Sequence, residues 1–204
     1  MKKISLLAII LGLSSCFTVS EIEDTIFIPD ATDRNLPAYT ESGYNSFGAI
    51  YERMYFFSSN TIVPGKIALK NDTMTFSLSG QIGSAYSMYA NDNMTLFFSF
   101  PVDPPMNTFK DLLALHQKHF DLTSPSCSLS MIRNNQTEEI TLMSGDLNFQ
   151  RAQLLRINEQ ENRVILSGTF ELIFIRNNLP ENIANGRFDV GITQIFLFPP
   201  TLVP

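Results

Sequence analysis

The chain contains no tryptophan, two cysteines and two histidines in 204 residues. Without tryptophan it lacks the widest platform for stacking a sugar ring, which weakens a glycan-binding reading and leaves six tyrosines to serve it. Two cysteines, Cys16 and Cys127, cannot make a disulfide framework, so stability has to come from packing. Basic residues are sparse as well. Lys and Arg number 14 against 20 Asp and Glu, a formal net charge of −6, and no basic cluster occurs. Neutralising phosphates needs lysine and arginine, so nucleic acid is not an expected partner. The sequence also has no Gly-x-Ser-x-Gly elbow, phosphate-cradling glycine loop or dinucleotide fingerprint. Nor does any stretch reach the roughly 20 apolar residues that cross a bilayer as a helix.

What is present begins at the N-terminus. Lys2 and Lys3 precede the apolar residues 4–13, and Ser14-Ser15 supply the small residues at which a signal peptidase cuts. Leu13-Ser-Ser-Cys16 resembles the bacterial lipobox, whose cysteine sulfur receives a diacylglyceryl group before cleavage. The alternative is an ordinary signal followed by a chance cysteine. We read residues 1–15 as a lipoprotein signal peptide and Cys16 as the lipidated first residue of the mature chain; two or more acyl chains anchor stably. Removal of the leader leaves 189 residues and a formal charge of −8. The expected location is the cell envelope, at the outer membrane, and the acidic Glu21, Glu23 and Asp24 near the anchor hint at outward display. Residues 16–35 read as an acidic tether, although Thr25-Ile-Phe-Ile28 could add a first strand at a sheet edge. Residues 36–204 read as one domain.

That domain is expected to be all-β. Seventeen phenylalanines fall in short runs with β-branched neighbours, separated by turn residues. Candidate strands cover 49–57, 73–79, 84–89, 94–100, 127–133, 139–143, 147–157, 163–175 and 187–198. Val164, Leu166, Phe170, Leu172 and Phe174 share one side of a pleat, as do Met74, Phe76 and Leu78. The phenylalanines read as core because they follow this period. About nine antiparallel strands argue for a β-sandwich with one short helix, against a closed, lipocalin-like β-barrel as the alternative. The helix starts at Thr108-Phe-Lys-Asp111, a capping box, and carries Phe109, Leu112, Leu113, His116 and Phe120 at helical spacing over about three turns.

Candidate chemistry is thin. His116 and His119, three apart on that helix, could share a metal with Asp121 as a third ligand, but His116 lies within the apolar stripe, where a hydrogen-bonded core histidine accounts for it. No metal and no cofactor is expected. Cys127 opens a predicted strand without a nucleophile signature around it and reads as a small buried residue. Asn71-Asp72-Thr73 and Asn91-Asp92-Asn93 offer oxygen ligands for calcium, yet each is equally a plain turn.

Several pieces share a pattern: Leu36-Pro37, Thr40, Gly43 and Asn45-Ser-Phe-Gly48 near the start, and Ser167-Gly-Thr-Phe170 and Asn185-Gly-Arg-Phe-Asp-Val190 near the end. Together with Leu154-Leu-Arg-Ile157 they resemble a Bacteroidetes lipoprotein family of unknown function, whose motifs run roughly LPxxTxxGxNTFG, SGTF and NGRFDV. The resemblance covers about half the chain at its two ends and implies an envelope lipoprotein, with no assigned activity and no catalytic residue to carry over. At Glu52-Arg53 the chain departs from the family, which commonly has an Asn-Gly turn there, so the resemblance does not carry a tight hairpin over to this position. From the residues themselves these pieces look structural: Gly43 and Gly48 at a strand start, Gly168 at a bulge or close crossing, Asn185-Gly186 at a turn or strand start. Arg187 and Asp189 share a strand face; they pair with each other or across the strand, or form a ligand-facing charged pair.

Three functional classes follow. A lipid-anchored binding module for a protein, peptide or glycan leads. A structural or assembly subunit of a surface complex, using an exposed strand edge, comes second. A hydrolase with dispersed carboxylates comes last, because no motif supports an enzyme.

Overall fold

Strands form wherever apolar residues alternate with polar ones, and positive-φ residues turn the chain between them. In the computed structural model, residues 25–59, 63–83, 92–157 and 160–197 are described. Their strands are β1 (Ser46–Tyr51), β2 (Met54–Phe57), β3 (Gly65–Lys70), β4 (Thr73–Gly83), β5 (Asp92–Pro101), β6 (Lys118–Asp121), β7 (Ser128–Arg133), β8 (Gln136–Glu138), β9 (Ile140–Ile157), β10 (Gln160–Arg176), β11 (Leu179–Ile192) and β12 (Phe196–Leu197). Tight turns place Asn71, Asn134, Asn135, Asn177 and Asn178 at positive φ, which asparagine tolerates better than other non-glycine residues. The leader, Cys16 and the expected strand 84–89 lie outside the described residues.

The strands form one strongly curled sheet, a half-barrel, in the order β6-β9-β10-β11-β1-β2-β4-β5-β7-β8. Neighbours are antiparallel, and β3 joins the path through β4, with β12 parallel beyond it. The all-β, antiparallel class with one short helix is therefore the observed one. The curl comes at β4, whose last residues pair with β2 and whose first residues pair with β3. Two walls result, β6-β9-β10-β11-β1-β2 and β3-β4-β5-β7-β8, and they face each other as the layers of a sandwich do.

Phenylalanines from the two walls interlock. Phe76 of β4 lies 5.0 Å from Phe188 of β11 and 5.5 Å from Phe149 of β9, centroid to centroid, and Phe98 of β5 lies 5.5 Å from Phe170 of β10. All of these rings are buried. Edge and tilted contacts of this kind add to the large apolar area each ring removes from water.

Several sequence expectations are corrected by the strand pairing. The segment 49–57 is two strands, because Glu52 takes φ 55 and a two-residue turn pairs Tyr51 with Met54. Conversely, 139–143 and 147–157 are one strand: Ser144-Gly145 stay paired with β10 and the bulge falls on Met143 just before them, because β10 is long enough to pair along the whole of β9. Asn185, at φ 54, likewise makes a bulge within β11 rather than starting that strand. The helix is shorter than expected. It is a seven-residue 3-10 helix, Phe109–Leu115, in which Asp111 Oδ2 accepts from the Thr108 and Asn107 N–H groups at its start. A three-residue period buries Leu112 and Leu115 together. Gln117, at φ 57, then reverses the chain, and Phe120 lands on β6.

The folded body also starts earlier than expected. Residues 25–44 form a strap across the outer surface of the first wall instead of a tether followed by a domain boundary. Ile26 N–H donates to Tyr44 O at 2.8 Å and Ala38 N–H to Ile28 O at 2.7 Å. Thr25-Ile-Phe-Ile28 joins no sheet strand.

Candidate functional site

Residues 40–45, Ser167 and Asp189, distant in sequence, converge under the strap. Asp189 is 2% exposed and accepts hydrogen bonds from Thr40 Oγ1 (2.5 Å), Ser42 N (3.0 Å), Gly43 N (2.7 Å), Tyr44 N (3.3 Å) and Ser167 Oγ (3.0 Å). Three consecutive backbone N–H groups curl round one carboxylate, a nest that an anion fills. Gly43 can make that curl at φ +75, pressed against Ile165. Beside it, Asn45 Oδ1 accepts from Gly191 N at 2.9 Å, and Gly48 leaves room for Pro37, whose Cδ a Cβ there would meet at 2.3 Å.

Arg187 and Asp189 do share a strand face, but the structure does not join them. Arg187 pairs with Asp30 at 2.7 Å and also donates to Pro37 O, while Asp189 is enclosed by the groups above. Both fasten the strap to the wall, and neither faces an open ligand site. Asp30, counted with the tether on sequence, is held well below the usual carboxylate range by Thr32 first, with Asp33 N–H and Arg187 assisting.

The two histidines are on different elements, so the shared-metal geometry fails. His116 caps the 3-10 helix and accepts from Ala152 N at 3.3 Å through Nδ1. His119 is on the edge strand β6, with Nδ1 2.7 Å from Asn148 Oδ1 and Nε2 3.3 Å from Asp146. Among the described residues no group of three His, Cys, Asp or Glu converges on a metal position. Cys127 is half-buried next to β7, and burial pushes its thiol up, away from the reactive thiolate.

An ion network closes one margin of the half-barrel. Arg176 grips Glu181 through Nε (3.0 Å) and Nη2 (2.6 Å) and reaches Glu138 on the opposite wall at 3.5 Å. Tyr51 donates to Glu181 as well. Burial and the Glu181 bond push the Tyr51 hydroxyl up to about 12. Burial would raise Glu181, but Arg176 and Tyr51 outweigh it and hold the carboxyl below its ordinary value. Glu41 and Asp92 are likewise lowered, by Arg151 and Arg133 respectively. These carboxyls stay ionised; none has the raised value of a general acid.

The open concave surface lies on the outer side of the second wall. Cross-strand pairing aligns Lys66, Ser77 and Phe97 in one row and Ala68, Thr75 and Ser99 in the next, with Phe196 beside Ala68. Small residues thus make a floor, Phe97 and Phe196 make walls, and Lys66 and Lys70 stand at the ends. The groove encloses about 430 Å³. A second hollow of about 270 Å³ adjoins it, sharing Lys66 and Phe196 and lined further by Val63, Ile192 and Gln194. Phe196 is 42% exposed. A larger cleft of about 620 Å³ near Glu138 and Asn177 is polar, and its Glu138 is already engaged by Arg176.

Sequence reasoning missed this groove because it missed β3. The signal was there: Lys66, Ala68 and Lys70 alternate with the buried Ile67 and Leu69. Assigning every phenylalanine to the core also hid it. Phe97 and Phe98 are adjacent in β5, so only one of them can point inward. No family model matches this chain, and no curated protein or solved structure shows similarity to it.

Proposed function

We propose that this protein is a lipid-anchored binding module of the cell envelope and that the β3–β4–β5 groove is its ligand surface. One observation carries the reading: an apolar hollow walled by Phe97 and Phe196 remains open on a fold whose other wall is covered by its own strap. Concave, largely apolar sites with a few polar groups are where small ligands bind. The charged leader and Cys16 support anchoring. The test is a thermal-shift screen of the chain from Phe17, which keeps every core residue, beside its Ala68→Trp variant, in which the floor is filled. A ligand at a hundredfold its Kd adds about 2.7 kcal/mol, several degrees for a domain of this size. A shift seen in the wild type and lost in Ala68→Trp supports the module; equal behaviour of the two proteins with every compound sinks it. Anchoring is tested separately by the mass of the mature N-terminus, expected to carry acyl chains on Cys16.

A second reading, an assembly subunit, draws on Thr25-Ile-Phe-Ile28. Ile26 and Ile28 are 50% and 40% exposed, and among the described residues their backbone bonds engage only one edge of the segment, which leaves the other for a partner strand. Concentration-dependent sedimentation that vanishes in Phe27→Glu would favour it.

A further inference from the structure

We infer that the groove takes a free single-chain carboxylate, its alkyl chain laid over Ala68 and Thr75 between the two phenylalanine rings and its head group on Lys66 or Lys70. This rests on the binding-module reading and narrows it to a ligand class. Three observations select that class. First, the floor has little hydrogen bonding left to offer: the Thr75 and Ser99 hydroxyls bond each other at 2.8 Å, and Ser77 Oγ donates to Lys66 O at 3.4 Å. A sugar needs directed partners for its hydroxyls, whereas an alkyl chain needs none. Second, the apolar surface is provided by Ala68, Phe97 and Phe196, which are outward-facing and take no part in the core. Third, the charge is complementary. Among the described residues neither Lys66 nor Lys70 pairs with a carboxylate, and no Asp or Glu lines the groove. In a chain of net charge −6 this is a local positive site. The two ammonium groups branch from positions four residues apart on one strand face, about 13 Å along β3, so the floor between them is long enough for an extended chain.

The magnitudes separate the two contributions. Each methylene buried against the rings should tighten binding roughly fourfold, while an exposed lysine–carboxylate contact is weak and salt-sensitive. The experiment is calorimetric titration of the chain from Phe17 with hexanoate, octanoate, decanoate and dodecanoate below their aggregation concentrations. Dodecanol, maltohexaose, an acidic heptapeptide and phosphatidylglycerol vesicles complete the panel. Affinity is expected to rise with chain length, to weaken roughly tenfold in Lys66→Glu/Lys70→Glu, and to disappear in Ala68→Trp, all three proteins having the same circular dichroism. Dodecanol should bind less tightly than dodecanoate. Dodecanoate binding that is equal in wild type and Ala68→Trp overturns the inference, as does binding of vesicles without binding of the free acid. If maltohexaose or the peptide binds the wild type but not Ala68→Trp, and dodecanoate does not bind, the carboxylate is refuted while the module stands. If no probe distinguishes the two proteins, both are refuted.

Discussion

Replacing Asp189 by asparagine should detach the strap and destabilise the whole domain. The substitution keeps the shape of the side chain but turns one acceptor oxygen into an NH2 group. Whichever oxygen is replaced, a donor meets a donor: Gly43 N–H on the Oδ1 side, or Ser42 and Tyr44 N–H on the Oδ2 side. The hydroxyls of Thr40 and Ser167 can rotate away, but backbone N–H groups cannot. Hydrogen bonds to charged groups contribute about 1.5–3 kcal/mol each, and a buried group left unsatisfied costs about 1–3 kcal/mol. Contributions within one cluster are not additive, so the expected loss is about 3 kcal/mol rather than the sum of five bonds. For a domain of this length that lowers Tm by about 6–12 °C. The assay is urea unfolding of wild type and Asp189→Asn with the slope of the transition compared. Amide exchange at Ser42, Gly43 and Tyr44 shows whether the strap opens by itself or only with the sheet. A loss below about 0.5 kcal/mol, with those amides still protected, would be the behaviour of an ordinary surface substitution and would refute the claim that this carboxylate holds the strap.

Further predictions concern the core, one glycine and the ion network. Phe76→Ala removes the ring that meets Phe98, Phe149 and Phe188 and should cost about 3–5 kcal/mol, read as a fall in the urea midpoint at constant slope. Gly168→Ala puts a Cβ 1.9 Å from Asn148 O; the β9–β10 pairing has to shift, and the variant should lose more stability than Gly145→Ala, whose nearest neighbour is the flexible tip of Leu172 at 3.1 Å. Tyr51 is raised from 10.0 to about 12, so the folded state holds the phenol proton more tightly than the unfolded state. Its contribution is fully present below pH 10 and should fade between pH 10 and about 12. Tyr51→Phe should flatten that limb of the stability profile. Glu181 behaves oppositely. Its folded pKa is depressed, so the stability it contributes is present above its ordinary range and is lost as pH falls through that range; Glu181→Gln should remove part of the acid sensitivity.

How much of this was legible in the sequence depends on the range of the interactions concerned. Period-two alternation in residues 164–174 named the inward face of β10 correctly, since burial of one face imposes it locally. Asparagine turns were legible for the same reason. The breaks inside long strands were not. Ser144-Gly145 and Asn185-Gly186 carry turn chemistry, and whether such a pair reverses the chain or stays in the strand at or beside a bulge depends on whether a partner strand continues past it. The histidine helix failed because i, i+3 spacing is shared by α and 3-10 helices, and the reversal at Gln117 has no composition signal. For Arg187 and Asp189 the sequence suggests pairing with each other or across the strand, with a ligand-facing pair as the alternative; the partners of Asp189 include backbone N–H groups 145 and more residues away, which no local pattern displays.

The position of the strap bears on where a ligand would be met. It crosses the outer surface of β9, β10, β11, β1 and β2, touching Arg151, Ile165, Asp189, Gly48 and Tyr55 in turn. The groove lies on the outer surface of β3, β4 and β5, and the phenylalanine core separates the two. Thr25, the first described residue, lies on the strap side, so an anchor at Cys16, as proposed, would pull from that side. Such a pull would load the Asp30–Arg187 pair and the Asp189 nest and leave the β3–β4–β5 groove, on the opposite side, unstrained. If that division of labour is right, Arg187→Ala should weaken the fastening of the strap, seen as faster amide exchange at Asp30 and Ala38, without changing ligand affinity in the groove. Conversely, Lys66→Glu/Lys70→Glu should change affinity without altering exchange in the strap. A cross-effect of more than about threefold in either direction, ~0.6 kcal/mol of coupling, would mean that the two outer surfaces communicate through the core and are not separate.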